Sequence, residues 1–189
     1  MRLDAEDERA VRLLRWLIAA LLVVGAVAFV TEGADGPADP VLAGEECRGR
    51  VELDGVEFGQ AGIRVTSADG DEETGCVFVA DTPEQRGHGL MRVDDLGRHV
   101  GMVFVFESDT SSAFYMLNTP MPLSIAWFRV DGTFVSTRDM EPCETDFGCP
   151  TYRPTGPYRY ALEVPKGNLD DLGVGKGSRL ELLTPEPEE

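Results

Sequence analysis

Histidine is scarce in this chain, and so is positive charge. Its 189 residues include two histidines, and 17 Lys and Arg stand against 34 Asp and Glu, for a formal net charge of -17. Binding nucleic acid needs a basic face to neutralise phosphates, so nucleic acid is not an expected partner. Docking on anionic lipid headgroups through a charge patch is disfavoured for the same reason. His88 and His99 lie away from the cysteines, and the cysteines lack close zinc-type spacing, so a zinc site is not expected. There is no G-x-S-x-G elbow, and two scattered histidines make no triad. No catalytic residue and no cofactor follows from a motif. There is also no internal repeat. Acidic residues are so plentiful that no carboxylate pair stands out. Such a surplus reads first as solubility or adaptation to a salt-rich milieu.

One long hydrophobic run is present. Residues 16–30, WLIAALLVVGAVAFV, hold no charge. Counted from Leu13 and interrupted by Arg15, the run would make a helix of about 27 Å, close to the ~30 Å of a bilayer core. Arg2, Arg9, Arg12 and Arg15 precede it, and the next basic residue is Arg48. That asymmetry predicts an N-terminus inside the cytoplasm and the remainder outside. Ala26-Val27-Ala28 resembles a cleavage site, so a signal peptide is the rival reading. Asp4, Glu6, Asp7 and Glu8 cancel the arginines and favour an uncleaved anchor. Either reading exports the domain. The expected organisation is an anchor or signal over 1–30, a Gly-, Pro- and acid-rich linker over 31–46, a β-domain over 47–183 and an acidic tail over 184–189.

Cysteines are few but even in number: Cys47, Cys76, Cys143 and Cys149. In an exported protein this suggests disulfides. Cys143 and Cys149 sit in one short loop and form a plausible local bridge; by elimination Cys47 pairs with Cys76.

From residue 48 the pattern is one of short strands: 51–58, 62–68, 76–80, 101–108, 112–117, 124–130, 133–140, 158–164 and 178–183. Residues 67–75 read as a loop. Asp54-Gly55 and Asp131-Gly132 mark turns, the latter between two strands as a hairpin, where positive φ angles are needed. Thr82-Pro83-Glu84-Gln85 is a capping box that opens a helix running to about Leu90. A second short helix covers Asn168 to Leu172, stopped by Gly173. Eight to ten strands with one or two helices predict a compact β-barrel or sandwich.

Five segments occur in this order: VFVADTPEQRGHGLM (77–91), GMVFVF (101–106), FYMLNTPMPLSIAWF (114–128), PCETDFGCPTY (142–152) and YALEVPKG (160–167). Together they resemble the DUF192 (UPF0127) family across about residues 51–183. The resemblance implies a mostly-β barrel or sandwich with a short helix after the Thr-Pro-Glu motif, and it carries no biochemical activity with it. The family's pattern in the third segment is aromatic, Met, Lys, Asn, Thr, then Pro-Leu-Asp. Met116, Asn118, Thr119, Pro120, Pro122 and Leu123 match it. Leu117 replaces the Lys and Ser124 the Asp, and losing both charges together points to a structural role for that pair.

The candidate site residues are Arg86, Arg92, Tyr115, Asn118, Thr119 and Trp127. Arginine recognises carboxylate or phosphate through its planar fork, but an internal salt bridge to Asp81, Asp94 or Glu163 would occupy it instead. Asn118 and Thr119 form either a sheet corner or an amide presented to a ligand. Trp127 and Tyr115 are core residues or one wall of a pocket. Met91, Met102 and Met116 are weak Cu(I) candidates, more simply read as core filler. The expected protein is membrane-tethered or secreted and binds a small ligand or an envelope partner without chemistry of its own. The alternatives are an enzyme acting through carboxylates such as Asp81 or Glu163, and a methionine-based copper module.

Overall fold

The computed structural model describes residues 46–144 and 148–183. The apolar run over 16–30, nearly all of the linker and the acidic tail lie outside the described residues. Among the described residues no helix is long and apolar enough to cross a membrane.

The described residues form ten strands and two short helices in the order β1 (Gly49–Leu53), β2 (Val56–Thr66), β3 (Glu72–Ala80), α1 (Pro83–His88), β4 (His99–Thr110), β5 (Phe114–Tyr115), β6 (Leu123–Phe128), β7 (Phe134–Met140), β8 (Thr151–Tyr152), β9 (Tyr158–Pro165), α2 (Asn168–Asp171) and β10 (Arg179–Leu183). The main sheet runs β1-β2-β3-β4-β9-β6-β7. β1 and β10 lie end to end along one edge of the long β2, pairing with Val56–Gln60 and Gly62–Thr66 respectively. β5 and β8 form a separate small ladder.

The sheet is not closed into a barrel, contrary to one expectation from strand count. β7 and β10 meet at the single bridge Thr133–Arg179. Closure would need a full ladder there. Instead the tip of the β6–β7 hairpin touches β10, with Leu180 N donating to the Gly132 carbonyl at 2.9 Å. A side chain at Gly132 would start 2.1 Å from the Leu180 carbonyl. Glycine is required there for this approach as well as for its φ of +80°. Asp131 is not in the left-handed region; its carboxylate accepts from Thr133 N at 3.0 Å instead. The turn with positive φ at both central residues is Asp54-Gly55, joining β1 to β2.

Both faces of the sheet are covered, which is why the central strands read as apolar runs rather than as alternation. β6 is buried at every position. Leu123, Ile125 and Trp127 enter one cluster with Phe58, Phe104, Phe114 and Tyr158. Ala126 and Phe128 enter the other with Ile63, Val103, Leu162 and the residues of α2 and its flank. β3 begins at Glu72, inside the stretch expected to be loop, because Glu72 and Glu73 ladder onto Thr66 and Val65.

β3 and β4 are parallel. A parallel connection needs a long crossover, and residues 81–98 supply it, carrying α1 and placing Leu90, Val93 and Leu96 on the first cluster. The capping box is formed: Thr82 Oγ1 accepts from Gln85 N at 3.2 Å and Gln85 Oε1 from Thr82 N at 3.0 Å. α1 stops at His88 rather than Leu90, because Gly89 leaves helical geometry. α2 likewise ends at Asp171, one residue short, with Gly173 at φ +66° beyond it.

Both cysteine pairs are bridged as expected, Cys47 to Cys76 with Cα atoms 5.2 Å apart and Cys143 to Cys149 with 5.8 Å. Both separations lie in the range that a disulfide spans.

Candidate functional site

The crossover lays α1 across the first face of the sheet, and a pocket of about 180 Å³ opens beneath it. One wall is the stretch Arg86–Met91. The opposite wall is the Ser112–Tyr115 segment with Thr119, and the floor comes from Phe104 and Phe106 of β4 and Tyr158 and Glu163 of β9. Tyr115 crosses from one wall to the other, its hydroxyl donating to the Gly87 carbonyl at 3.2 Å.

Glu163 is the unusual member. It lies on the same face of β9 as Ala161, between Met102 of β4 and Ile125 of β6. It is 4% exposed. Among the described residues its carboxyl has no hydrogen-bond or ionic partner. Burial alone pushes its pKa up to about 8, so the carboxyl is largely protonated at neutral pH. Buried acids are ordinarily paired, because an unpaired one costs stability. β4 presses against this point: a side chain at Gly101 would begin 1.9 Å from the Glu163 carbonyl oxygen.

Arg86 is the second. None of the salt-bridge partners expected for it is used. Its Nη1 donates to two main-chain carbonyls, those of Asp81 and Val105, the latter at 2.9 Å. The Phe106 ring lies 4.9 Å from its guanidinium carbon. Among the described residues no carboxylate forms an ion pair with it. The neighbouring His88 has its Nε2 3.4 Å from the Asp54 carboxylate. Tyr158 closes the floor; its hydroxyl donates to the Ser112 carbonyl at 3.1 Å, and burial holds its phenol well above the usual range.

The structure sorts the six sequence candidates into three places. Arg86, Tyr115 and Thr119 meet at the pocket. Arg92 and Asn118 line a separate depression of about 340 Å³ with Pro120 and Glu144. There Arg92 is tied to Asp54 at 3.0 Å. Asn118 is a corner residue at φ +53°, its main chain bonded to Cys143 and Arg92. Trp127 is fully buried in the core, packed on Phe114 and Tyr158 behind the pocket. Its indole N–H has no partner among the described residues. Met102 and Met116 are buried in the same core, whereas Met91 lines the pocket.

Of the two family-atypical positions, Leu117 bridges Cys143 and Ser124 donates to Asp139 at 2.6 Å. Ser124 also accepts from Gly167 N. Its hydroxyl thus serves a buried corner where a second carboxylate would face Asp139. Among the described residues no cluster of three or more His, Cys, Asp or Glu could hold a metal ion.

Sequence reasoning weighed Glu163 as a salt-bridge partner and a possible acid, but not as a binding residue. The signal is visible in YALEV: a lone acid on a strand whose neighbours are all apolar.

Fold and pocket together define an open, two-faced β-sheet domain with a small polar-and-aromatic pocket under its crossover helix. The chain belongs to the DUF192 family, described as "Uncharacterized ACR", whose profile matches residues 64–182. No curated protein matches it. Five chains of solved structures are similar to it, among them two crystal structures. One is a protein described as a proposed transcription regulator from Sinorhizobium meliloti 1021, 27% identical, with a TM-score of 0.59, covering 70% of this chain and 98% of its own. The other is a protein of unknown function from Novosphingobium aromaticivorans DSM 12444, 23% identical with the same TM-score, covering 72% and 94%.

Proposed function

We propose that this DUF192 domain is a binding module for a small molecule, exported and tethered by its N-terminal apolar segment, with the pocket under α1 as its site. The observation that carries this reading is the convergence on one pocket of two polar groups, Arg86 and Glu163, that have no ionic partner among the described residues. A small polar group within a mostly apolar, aromatic lining is the usual make-up of a ligand site. Two disulfides support export, since they persist in oxidising compartments. The regulator description of the Sinorhizobium protein is not carried over, because a net charge of -17 opposes nucleic-acid binding.

A second reading, an enzyme using carboxylates, is favoured by one observation, the raised pKa of Glu163 in an apolar pocket. Asp81, its suggested companion, does not line the pocket.

Native mass spectrometry of the full chain, purified from its host without reducing agent, tests the binding reading. A bound small-molecule mass that disappears in Arg86→Ala supports it. A bare protein that also shows no thermal shift in a broad screen of small polar compounds ends it. Conversion of a bound compound on incubation would move the assignment to the enzyme reading. Protease accessibility from outside intact cells tests the export.

A further inference from the structure

We infer that the ligand class of this pocket is a small hydroxy or oxo carboxylic acid, with its carboxylate in the guanidinium fork of Arg86 and its second oxygen bonded to the Glu163 carboxyl. The inference rests on the binding reading above. Arg86 spends Nη1 on the Asp81 and Val105 carbonyls. The edge left over is Nε with Nη2, which matches a carboxylate with two parallel bonds. In a chain with twice as many acids as bases, this guanidinium pairs with no acid among the described residues. Held by two carbonyls and the Phe106 ring, it is pre-set for an acid brought from outside.

Glu163 supplies the second contact. A carboxyl without a partner, buried in the pocket floor, offers an O–H donor and a carbonyl acceptor when neutral. A neutral acid tolerates an anion nearby, whereas an ionised one would repel it. The titratable groups sharing the pocket are Arg86 and His88 from α1, Tyr115 from β5 and Tyr158 from β9. β4 contributes Phe104 and Phe106, and β6 places Ile125 beside Glu163. The Tyr115 and Tyr158 hydroxyls donate to main-chain carbonyls, and His88 faces Asp54. Arg86 and Glu163 therefore remain for a ligand. A volume of about 180 Å³ corresponds to roughly six waters of liquid, so the ligand is small, and the aromatic lining suits a short carbon chain.

The test is calorimetric titration of the full chain in detergent with a matched five-carbon series: 2-hydroxypentanoate, 2-oxopentanoate, 2-aminopentanoate, pentanoate and pentane-1,2-diol. The hydroxy or oxo acid is expected to bind about tenfold or more tighter than pentanoate, the worth of one good hydrogen bond. Arg86→Lys should weaken every acid by about tenfold, because a point charge cannot replace the fork. Glu163→Gln should keep the preference for the second oxygen and Glu163→Leu should erase it. Raising pH from about 7 to about 9.5 should weaken hydroxy-acid binding in the native chain and not in Glu163→Gln. Tightest binding of the amino acid, of plain pentanoate or of the diol overturns this ligand class and leaves the binding reading standing. If no member of the series binds, the ligand class fails; the binding reading fails with it only if the native spectrum and broad screen are also empty.

Discussion

Glu163 costs the fold stability in a way that depends on pH. Unfolded, its carboxyl ionises near about 4.5; folded, near about 8. Below the lower value both states hold the proton, and the difference contributes nothing. Between the two values the folded state keeps a proton that the unfolded state releases, so stability falls as pH rises, by at most about 1.4 kcal/mol per unit. Glu163→Gln removes that slope. Its melting midpoint should match the native one near pH 4 and exceed it by several degrees at about pH 7.5, read by calorimetry at both pH values. Equal midpoints at both would mean that the acid has a partner in solution. Gly101 works in the opposite sense. Gly101→Ala would force β4 away from the Glu163 backbone, costing about 1–3 kcal/mol or more in denaturant melts.

At the scale of elements, α1 is the piece that sets the site. Six residues are too few to hold a helix by propensity. Gln85 holds it, its Oε1 accepting from Asp81 N and Thr82 N and its Nε2 donating to the Glu57 carbonyl on β2. Gln85→Ala strips all three contacts from a buried position and should cost about 2 kcal/mol or more. Because Arg86 is the next residue, that variant should also lose ligand affinity while still folding, measured by titration beside a thermal melt. The capping box was legible in Thr82-Pro83-Glu84-Gln85 because it obeys local rules. The docking of Gln85 onto β2 was not, since nothing near residue 85 marks Glu57 as its neighbour.

For the whole molecule, the two disulfides act on different parts of the ledger. Cys47–Cys76 closes a span of 29 residues and ties the start of the domain to β3. Cys143–Cys149 closes six residues. By loop entropy the first is worth about 3–4 kcal/mol and the second about 2. Paired Cys→Ser changes should rank in that order in urea melts, and a reversed order would mean that the short bridge orders more of the loop than its length suggests.

The sequence by itself determined most of the strands, the Asp54-Gly55 turn and the Asp131-Gly132 hairpin, the capping box and the family; it missed β8 and the start of β3, broke β2 in two, and offered the cysteine pairing only as plausible. Each piece so determined depends on residues close in the chain or on short motifs in a fixed order. Tertiary structure alone decided that β3 and β4 run parallel, that the sheet stays open at β7 and β10, and which polar residues meet. Arg92 and Asn118 carried the same sequence signals as Arg86 and Thr119, yet they lie in a different depression. Arg86 and Glu163 come from distant segments, and only the crossover over β4 and β9 brings them into one pocket. Burial is a property of neighbours rather than of a residue, so it is the packing of β4 and β6 on either side of β9 that keeps the Glu163 carboxyl largely protonated at neutral pH.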